Sequence, residues 1–298
     1  MIGGGLLGLE AANALKQLGL ETAVVEFAPR LMAVQLDEGG AAMLRHKIDA
    51  LGVQVLTGKS TQEIVRQQDG RLQLRFADGS QIDTDLVLFS AGIRPRDQLA
   101  AAAGLTLGPR GGIDINSSCI TSDDDILAIG ECALWNGQIF GLVAPGYQMA
   151  RVAAAVLAGE EAAFTGADMS TKLKLLGVEV ASFGDAHGRT PGSKSYYWNN
   201  EPQEIFKKIV VSADGKQLLG GILVGDSSEY STLLQMMLNG MPLPAAPEHL
   251  ILPQREGGAV KALAWQRCRT VPRSAPVITS AKAISVQRYP AAVAIWLR

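Results

Sequence analysis

An α/β fold is what this sequence predicts, with a small α+β domain after it, and three observations predict it. The first is a glycine-rich opening, M-I-G-G-G-L-L-G-L-E, in which Gly3, Gly5 and Gly8 stand at the spacing G-x-G-x-x-G. The second is the order of the next segments: an apolar helical stretch, a short strand, and an acid, Glu26, eighteen residues past Gly8. The third is a switch to alternating apolar and polar residues from Lys172 onward. Loop, helix, strand and acid in that order describe a Rossmann-type NAD-binding domain, and the alternating stretch describes paired strands.

Each part of the loop has its own reason. Gly3 permits a tight turn out of a strand, Gly5 lets backbone approach a pyrophosphate, and Gly8 lets the helix pack closely on the strand. The helix predicted over Leu6 to Leu18, stopped at Gly19, opens with Leu6 and Leu7, whose N–H groups and positive dipole end suit a phosphate. Glu21 to Glu26 reads as a short buried strand, and Glu26 at its end can accept from the hydroxyls of an adenosine ribose. A carboxylate there repels a 2′-phosphate, so NADH is expected over NADPH. The alternative, a solvated acid at a strand end, leaves the order of the four features unexplained. Only Met1 and Ile2 precede Gly3, where a central parallel strand runs to about five residues. The expectation is a truncated first strand, in a chain that begins inside a domain.

Composition sets the bounds. A chain of 298 residues can hold two or three small domains. Hydrophobic residues make up 47%, charged ones 19%, and the net charge is −2, so neither nucleic acid nor an anionic membrane surface is expected as a partner. No apolar run reaches the ~18 residues of a membrane span. The N-terminus lacks the basic region of a signal peptide, and a cytoplasmic location is expected. Cys119, Cys132 and Cys268 form no close pair, and His46, His187 and His249 lie far apart, so neither a redox dithiol nor a metal site is expected.

Asp37 to Leu51 reads as an amphipathic helix closed by Gly52, and Val53 to Leu56 as the next strand. From Thr61 to Phe76 the period is two, with turns at Gln68-Asp69-Gly70 and Ala77-Asp78-Gly79, which predicts a small antiparallel meander. Asp85 to Ser90 is expected as a fully buried strand running into Ala91-Gly92-Ile93-Arg94-Pro95. There glycine allows close approach to a ligand and proline ends the strand. A short strand over Ile113 to Ile115 and a buried one over Ile126 to Ile129 come next, the latter closed by Gly130 and Glu131. A helix is expected over roughly Tyr147 to Leu157. Strands are expected at Val178 to Phe183, Ser195 to Trp198, Ile205 to Val211 and Leu218 to Val224, with a hairpin at Asp214-Gly215. A helix over Ser228 to Leu238 and a proline-rich exit over Gly240 to Pro253 complete the series.

Three stretches, G-G-G-L-L-G-L-E, A-G-I-R-P and T-S-D-D-D-I-L-A-I-G-E, in that order resemble the flavoprotein pyridine-nucleotide oxidoreductases. E-C-A-L-W-N-G-Q-I-F-G-L-V-A-P-G-Y-Q-M-A-R and T-K-L-K-L-L-G-V-E-V-A-S-F-G-D resemble, more narrowly, the large subunits of NADH-dependent nitrite reductases, over residues 1 to about 263. The resemblance implies NADH on the loop Gly3 to Gly8, with Ala91, Gly92 and Ile93 approaching its nicotinamide end. It implies a partial FAD-binding domain, with Gly130 and Glu131 at the flavin ribityl chain and Glu10 lying towards the flavin. Hydride would pass from NADH to FAD and electrons on to iron–sulfur centres. The chemistry belongs to the cofactors, and no side chain is expected as acid, base or nucleophile. Four blocks result: 1–93 for NADH, 94–168 as the returning half of the FAD-binding domain, 169–253 as the α+β domain, and 254–298 as linker and tail. In the intact parent a homodimer and a small nitrite reductase subunit are the implied partners.

The departures from that pattern carry expectations too. The family's first glycine loop, which holds the FAD pyrophosphate, has no counterpart, so the FAD site is expected to be incomplete and the chain to purify without stoichiometric FAD. Iron–sulfur and sirohaem modules would lie past the last residue. From Ala264 the sequence loses its period; read in another frame it resembles the start of the family's two-iron module, and residues 264–298 are expected to be an out-of-frame, disordered tail. Two rival functions share these features. An NADH-dependent rubredoxin or ferredoxin reductase would differ in its electron acceptor, and a non-catalytic nucleotide-binding fragment would lack flavin absorbance.

Overall fold

The computed structural model describes residues 1–253. The expectations for 254–298, the out-of-frame tail and Cys268 among them, lie outside the described residues. In chain order come α1 (Leu6–Gln17), β1 (Ala23–Val25), α2 (Glu38–Ala50), β2 (Gln54–Leu56), β3 (Thr61–Arg66), β4 (Leu72–Phe76) and β5 (Gln81–Thr84). Next are α3 (Gln98–Ala102), β6 (Ile113–Ile115), β7 (Ala133–Trp135), β8 (Gln138–Ile139) and α4 (Val143–Leu157). The last group is β9 (Thr171–Leu175), β10 (Val178–Gly184), β11 (Lys194–Asn200), β12 (Ile205–Val211), β13 (Leu218–Val224) and α5 (Tyr230–Leu238). Residues 1–94 and 168–252 form one compact unit, and 95–167 belong to a second.

In the first unit β1 and β2 pair in parallel, Val24 opposite Val55. Ile2 bridges Val25 on one side and Phe89 on the other. That short first strand is fully bonded: Ile2 N–H donates to Leu88 O at 2.8 Å, Ser90 N–H to Ile2 O at 2.7 Å, and Gly3 N–H to Val25 O at 2.8 Å. The meander β3–β4–β5 forms as the period predicts, with Gly70 and Gly79 at φ +90° and +81° in its turns. Its Leu74 and Phe76 bury one face of the parallel strands, against Val25.

Helices α1 and α2 cover the other face. Asp37 caps α2 by accepting from Gly40 N–H at 3.0 Å. Against these helices packs the antiparallel sheet β11-β12-β13-β10-β9. Leu9, Leu44 and Ile48 share one core with Val180, Phe206, Ile222 and Val224. The block 1–93 and residues 169–252 of the block 169–253 therefore fall in one unit. Two glycines near the start of α2 make the approach possible. A Cβ on Gly39 would stand 2.5 Å from Phe206 Cε2, and one on Gly40 3.0 Å from Ile222 Cγ2. Lys208 reaches back to Asp37 at 2.9 Å and Lys47 to Glu204 at 2.7 Å. The sheet's far face is buried under α5, where Phe183 and Leu223 meet Leu233 and Met236.

One expectation in this unit is overturned. Asp85 to Ser90 is not a fully buried strand: Leu86 is 54% and Phe89 67% exposed. Its ladder has a single partner residue, Ile2, so pairing stops after one bridge, and among the described residues nothing covers Leu86.

In the second unit β6 and β7 pair in parallel and β7 and β8 antiparallel. Phe140, Met149 and Phe164 centre its core. The strand expected at Ile126 to Ile129 reduces to one bridge, Leu127 to Ile120. The reason is the preceding loop: Asp123 N–H donates to Thr121 Oγ1 at 3.2 Å, and Thr121 N–H to Ile126 O at 2.9 Å, folding the chain back on itself. The paired strand is β7, a few residues downstream. Helix α4 starts at Val143 rather than near Tyr147, because Pro145 sits in the first turn, where its missing N–H leaves no bond unmade. Among the described residues no helix is long and apolar enough to cross a membrane, and no group of metal-ligating side chains assembles.

Candidate functional site

The three loop glycines stand at the carboxyl end of the parallel strands, and they differ in what demands them. Gly3 has φ +111°, and a Cβ there would collide with Ser90 O. A Cβ on Gly8 would collide with Gly3 O, which fixes how closely α1 approaches the first strand. Gly5 has an ordinary φ of −82°, and a Cβ on it would meet nothing within 4 Å among the described residues. Packing does not require glycine there; open space lies beside it. Gly5 is also the N-cap of α1, with no side-chain cap and no acid in the first turn. The helical ladder begins with Leu9 N–H to Gly5 O at 3.0 Å, so the N–H groups of Leu6, Leu7 and Gly8 have no helical acceptor. Such an end suits an anion.

Glu26 closes the loop from the side. Its Oε2 accepts from Gly4 N–H at 2.5 Å and its Oε1 from Ala28 N–H at 2.7 Å. Ala91 comes directly after Ser90 against the first glycine, its nitrogen 3.3 Å from where a Gly3 Cβ would be. Gly92 has φ +95°, and Ile93 beyond it is half exposed. The structure thus brings Gly3, Gly5, Leu6, Leu7, Gly8, Glu26 and Ala91 to one edge of the sheet. Glu10 is exposed on α1, a turn further on.

Gly130 and Glu131 belong to the second unit. Gly130, at φ +82°, opens a 3-10 turn and donates its N–H to Met149 Sδ at 3.4 Å. A Cβ on Gly146 would lie 3.3 Å from Gly130 Cα, so the turn rests directly on α4. Glu131 is exposed, and among the described residues its carboxylate takes no hydrogen bond. An open carboxylate on a tightly held turn fits a polyol such as a ribityl chain.

Sequence reasoning missed a cavity of about 390 Å³ beside the loop, lined by Phe27, Lys59, Thr61, Phe89 and Ala91 among others. Among the described residues Thr61 Oγ1 is buried there without a partner. Lys59 is held on the Phe76 ring by Asp78 at 2.5 Å and Ser80 at 2.8 Å. The Lys59 hydrogen bond in turn keeps the Asp78 carboxyl far below the usual carboxylate range. The one signal in the sequence was Phe27, an aromatic placed directly after the acid.

Residues 1–162 match the family described as pyridine nucleotide-disulphide oxidoreductase, and residues 170–241 the rubredoxin NAD+ reductase C-terminal domain. The NAD(P)H nitrite reductase large subunit of Klebsiella oxytoca is 71% identical over 263 residues, 88% of this chain and 27% of that protein. The NADH nitrite reductase large subunit of Escherichia coli (strain K12) is 59% identical over 86% of this chain and 30% of its own length. The chain thus spans between a quarter and a third of these two relatives. Among solved structures, a NAD-dependent persulfide reductase from A. fulgidus superposes with TM-score 0.69 at 26% identity, over 80% of this chain and 48% of the other. A FAD-dependent pyridine nucleotide-disulphide oxidoreductase from Desulfovibrio vulgaris gives 0.67 at 29%, over 81% and 64%. The match across more than half of the residues, on a loop shaped for a dinucleotide, establishes that the chain belongs to the pyridine nucleotide-disulphide oxidoreductase family.

Proposed function

We propose that this chain is the NADH-binding and flavin-contacting part of a nitrite reductase large subunit. The observation that carries the reading is the uncapped start of α1, where among the described residues Gly5 faces open space and the first turn carries no acid. Leu6 and Leu7 offer their N–H groups to that diphosphate, and Glu26 stands where an adenosine ribose would lie. The groove at Phe27, Lys59 and Phe89 sets the Phe27 and Phe89 rings beside the polar run Lys59 to Glu63, apolar surface and hydrogen-bonding groups together, as a base needs. Ala91, Gly92 and Ile93 face the nicotinamide end in this reading, and Glu10 the flavin side.

FAD, when bound, supplies the hydride acceptor and the means of releasing electrons singly. Gly130 and Glu131 would hold its ribityl chain. The chain's own work is to bind, orient and keep water from the two rings, and no side chain acts as acid or base. Onward transfer to iron–sulfur centres and sirohaem, a homodimer, a small-subunit partner and a cytoplasmic setting belong to the same proposal; of these, a further subunit is supported by the two relatives at 71% and 59% identity, each described as a large subunit. The rubredoxin-NAD(+) reductase of Alcanivorax borkumensis, 33% identical over 76% of the chain, is the more distant likeness.

Calorimetric titration of the chain with NADH and with NADPH tests the reading. NADH is expected to bind at least tenfold more tightly, because the Glu26 carboxylate faces the 2′-phosphate of NADPH, and Glu26→Arg is expected to reduce or invert the ratio. Equal affinities in the unsubstituted chain would sink it.

A further inference from the structure

The Gly4 peptide, in the middle of the loop, is gripped at both ends by residues outside the loop. Its N–H donates to Glu26 Oε2 at 2.5 Å, and its carbonyl accepts from Met32 N–H at 3.0 Å. Glu26 is itself tied down. Its own N–H donates to Leu56 O at 2.8 Å, its carbonyl accepts from Lys59 N–H at 2.9 Å, and Oε1 accepts from Ala28 N–H at 2.7 Å. The fit around Gly4 is close, for a Cβ there would come within 2.9 Å of Glu26 Cβ and 2.7 Å of Leu31 Cδ2. Gly3, Gly4 and Gly5 in succession form the most freely rotating backbone a chain can have. The direction of the Gly5 and Leu6 N–H groups, which come next, depends on how that backbone is held.

We infer that Glu26 is a positioning residue for the diphosphate cradle, acting through the Gly4 and Ala28 amides, besides any contact it makes with a ribose. The inference rests on the reading that a dinucleotide lies on the loop, and it assigns Glu26 work that reading does not contain. An ionised carboxylate is the one side-chain group with two acceptor oxygens and no donor, so it can grip both amides and keep a lone pair on each oxygen for a hydroxyl. A glutamine has the same length but turns an NH2 donor towards one of the two N–H groups, so one grip is lost.

The test compares ADP with 2′,3′-dideoxy-ADP, which keeps the diphosphate and lacks both ribose hydroxyls, on the unsubstituted chain and on Glu26→Gln. If Glu26 positions the cradle, the substitution weakens dideoxy-ADP by about tenfold or more, as for a lost charged hydrogen bond, and ADP by at least as much. A loss confined to ADP, with dideoxy-ADP bound equally by both chains, overturns the inference and leaves Glu26 as a ribose contact alone. Binding of neither ligand by the unsubstituted chain is a failure of the nucleotide reading itself. Hydrogen exchange resolved by NMR on the unsubstituted chain tests the grip without any variant: slow exchange of the Gly4 and Ala28 amides supports it, and exchange of either at the rate of a free amide overturns it.

Discussion

A methyl group on Gly8 would collide with the Gly3 carbonyl, and the strand cannot retreat without breaking its hydrogen bond from Gly3 N–H to Val25 O. Gly8→Ala is therefore expected to cost about 3 kcal/mol, at the upper end for an overpacked site, and to lower the melting temperature by several degrees. At Gly5 the same methyl meets nothing within 4 Å among the described residues. Gly5→Ala is expected to change stability by less than about 1 kcal/mol while weakening NADH binding, which calorimetry and a thermal melt read separately. A melt lowered as far by Gly5→Ala as by Gly8→Ala would contradict the assignment of one glycine to ligand and the other to packing. A different buried residue sets a pH dependence. Burial pushes the Cys119 thiol from 9.0 up to about 11, so the fold favours its neutral form. Its contribution to stability is complete below pH 9 and is lost as pH rises towards 11. At pH 8 Cys119 is expected to resist iodoacetamide until denaturant is added, as peptide-resolved mass spectrometry would show. The alkaline fall in stability is expected to be shallower in Cys119→Ala.

Among the elements, α2 leans on one side chain in two ways. Asp37 caps it and pairs with Lys208, whose side chain is 3% exposed. Asp37→Ala removes the cap and leaves a buried ammonium without its partner, an expected loss of about 4 kcal/mol in urea unfolding. Adding Lys208→Met should return most of that loss, and a double variant as unstable as the single one would show the pair is not the cause. Helices α1 and α2 and the meander were legible because their period and end signals lie within each segment: Gly19, Gly52, Gly70 and Gly79 all take positive φ where the chain must turn. The illegible parts depend on partners remote in sequence. Leu86 to Phe89 has the composition of a buried strand, yet its burial is decided by a neighbour of one residue, Ile2. The glycine loop could be read from its spacing, whereas the grip of Glu26 on Gly4 and Ala28, and the cavity at Phe27, Lys59 and Phe89, exist only once three segments meet.

In the molecule as a whole, the segment that would hold the nucleotide does not complete its own core. Leu9, Leu44 and Ile48 are buried partly by Phe206, Ile222 and Val224. Residues 1–94 expressed alone are expected to lack a cooperative melt and to bind a hydrophobic dye, whereas the whole chain melts cooperatively; a sharp transition in the short form would show that the α+β sheet is dispensable to it.

The two glycines that let α2 lie against the sheet also govern the order of events in time. Gly39 and Gly40 give α2 little helical preference of its own, so the helix waits for its support. That support is complete only with β13, which leaves the ribosome roughly 170 residues after β2. At the usual pace of synthesis the interval is roughly ten to thirty seconds. For that long the nucleotide loop exists without a floor, and Leu9, Leu44 and Ile48 stand open to any chaperone or protease within reach.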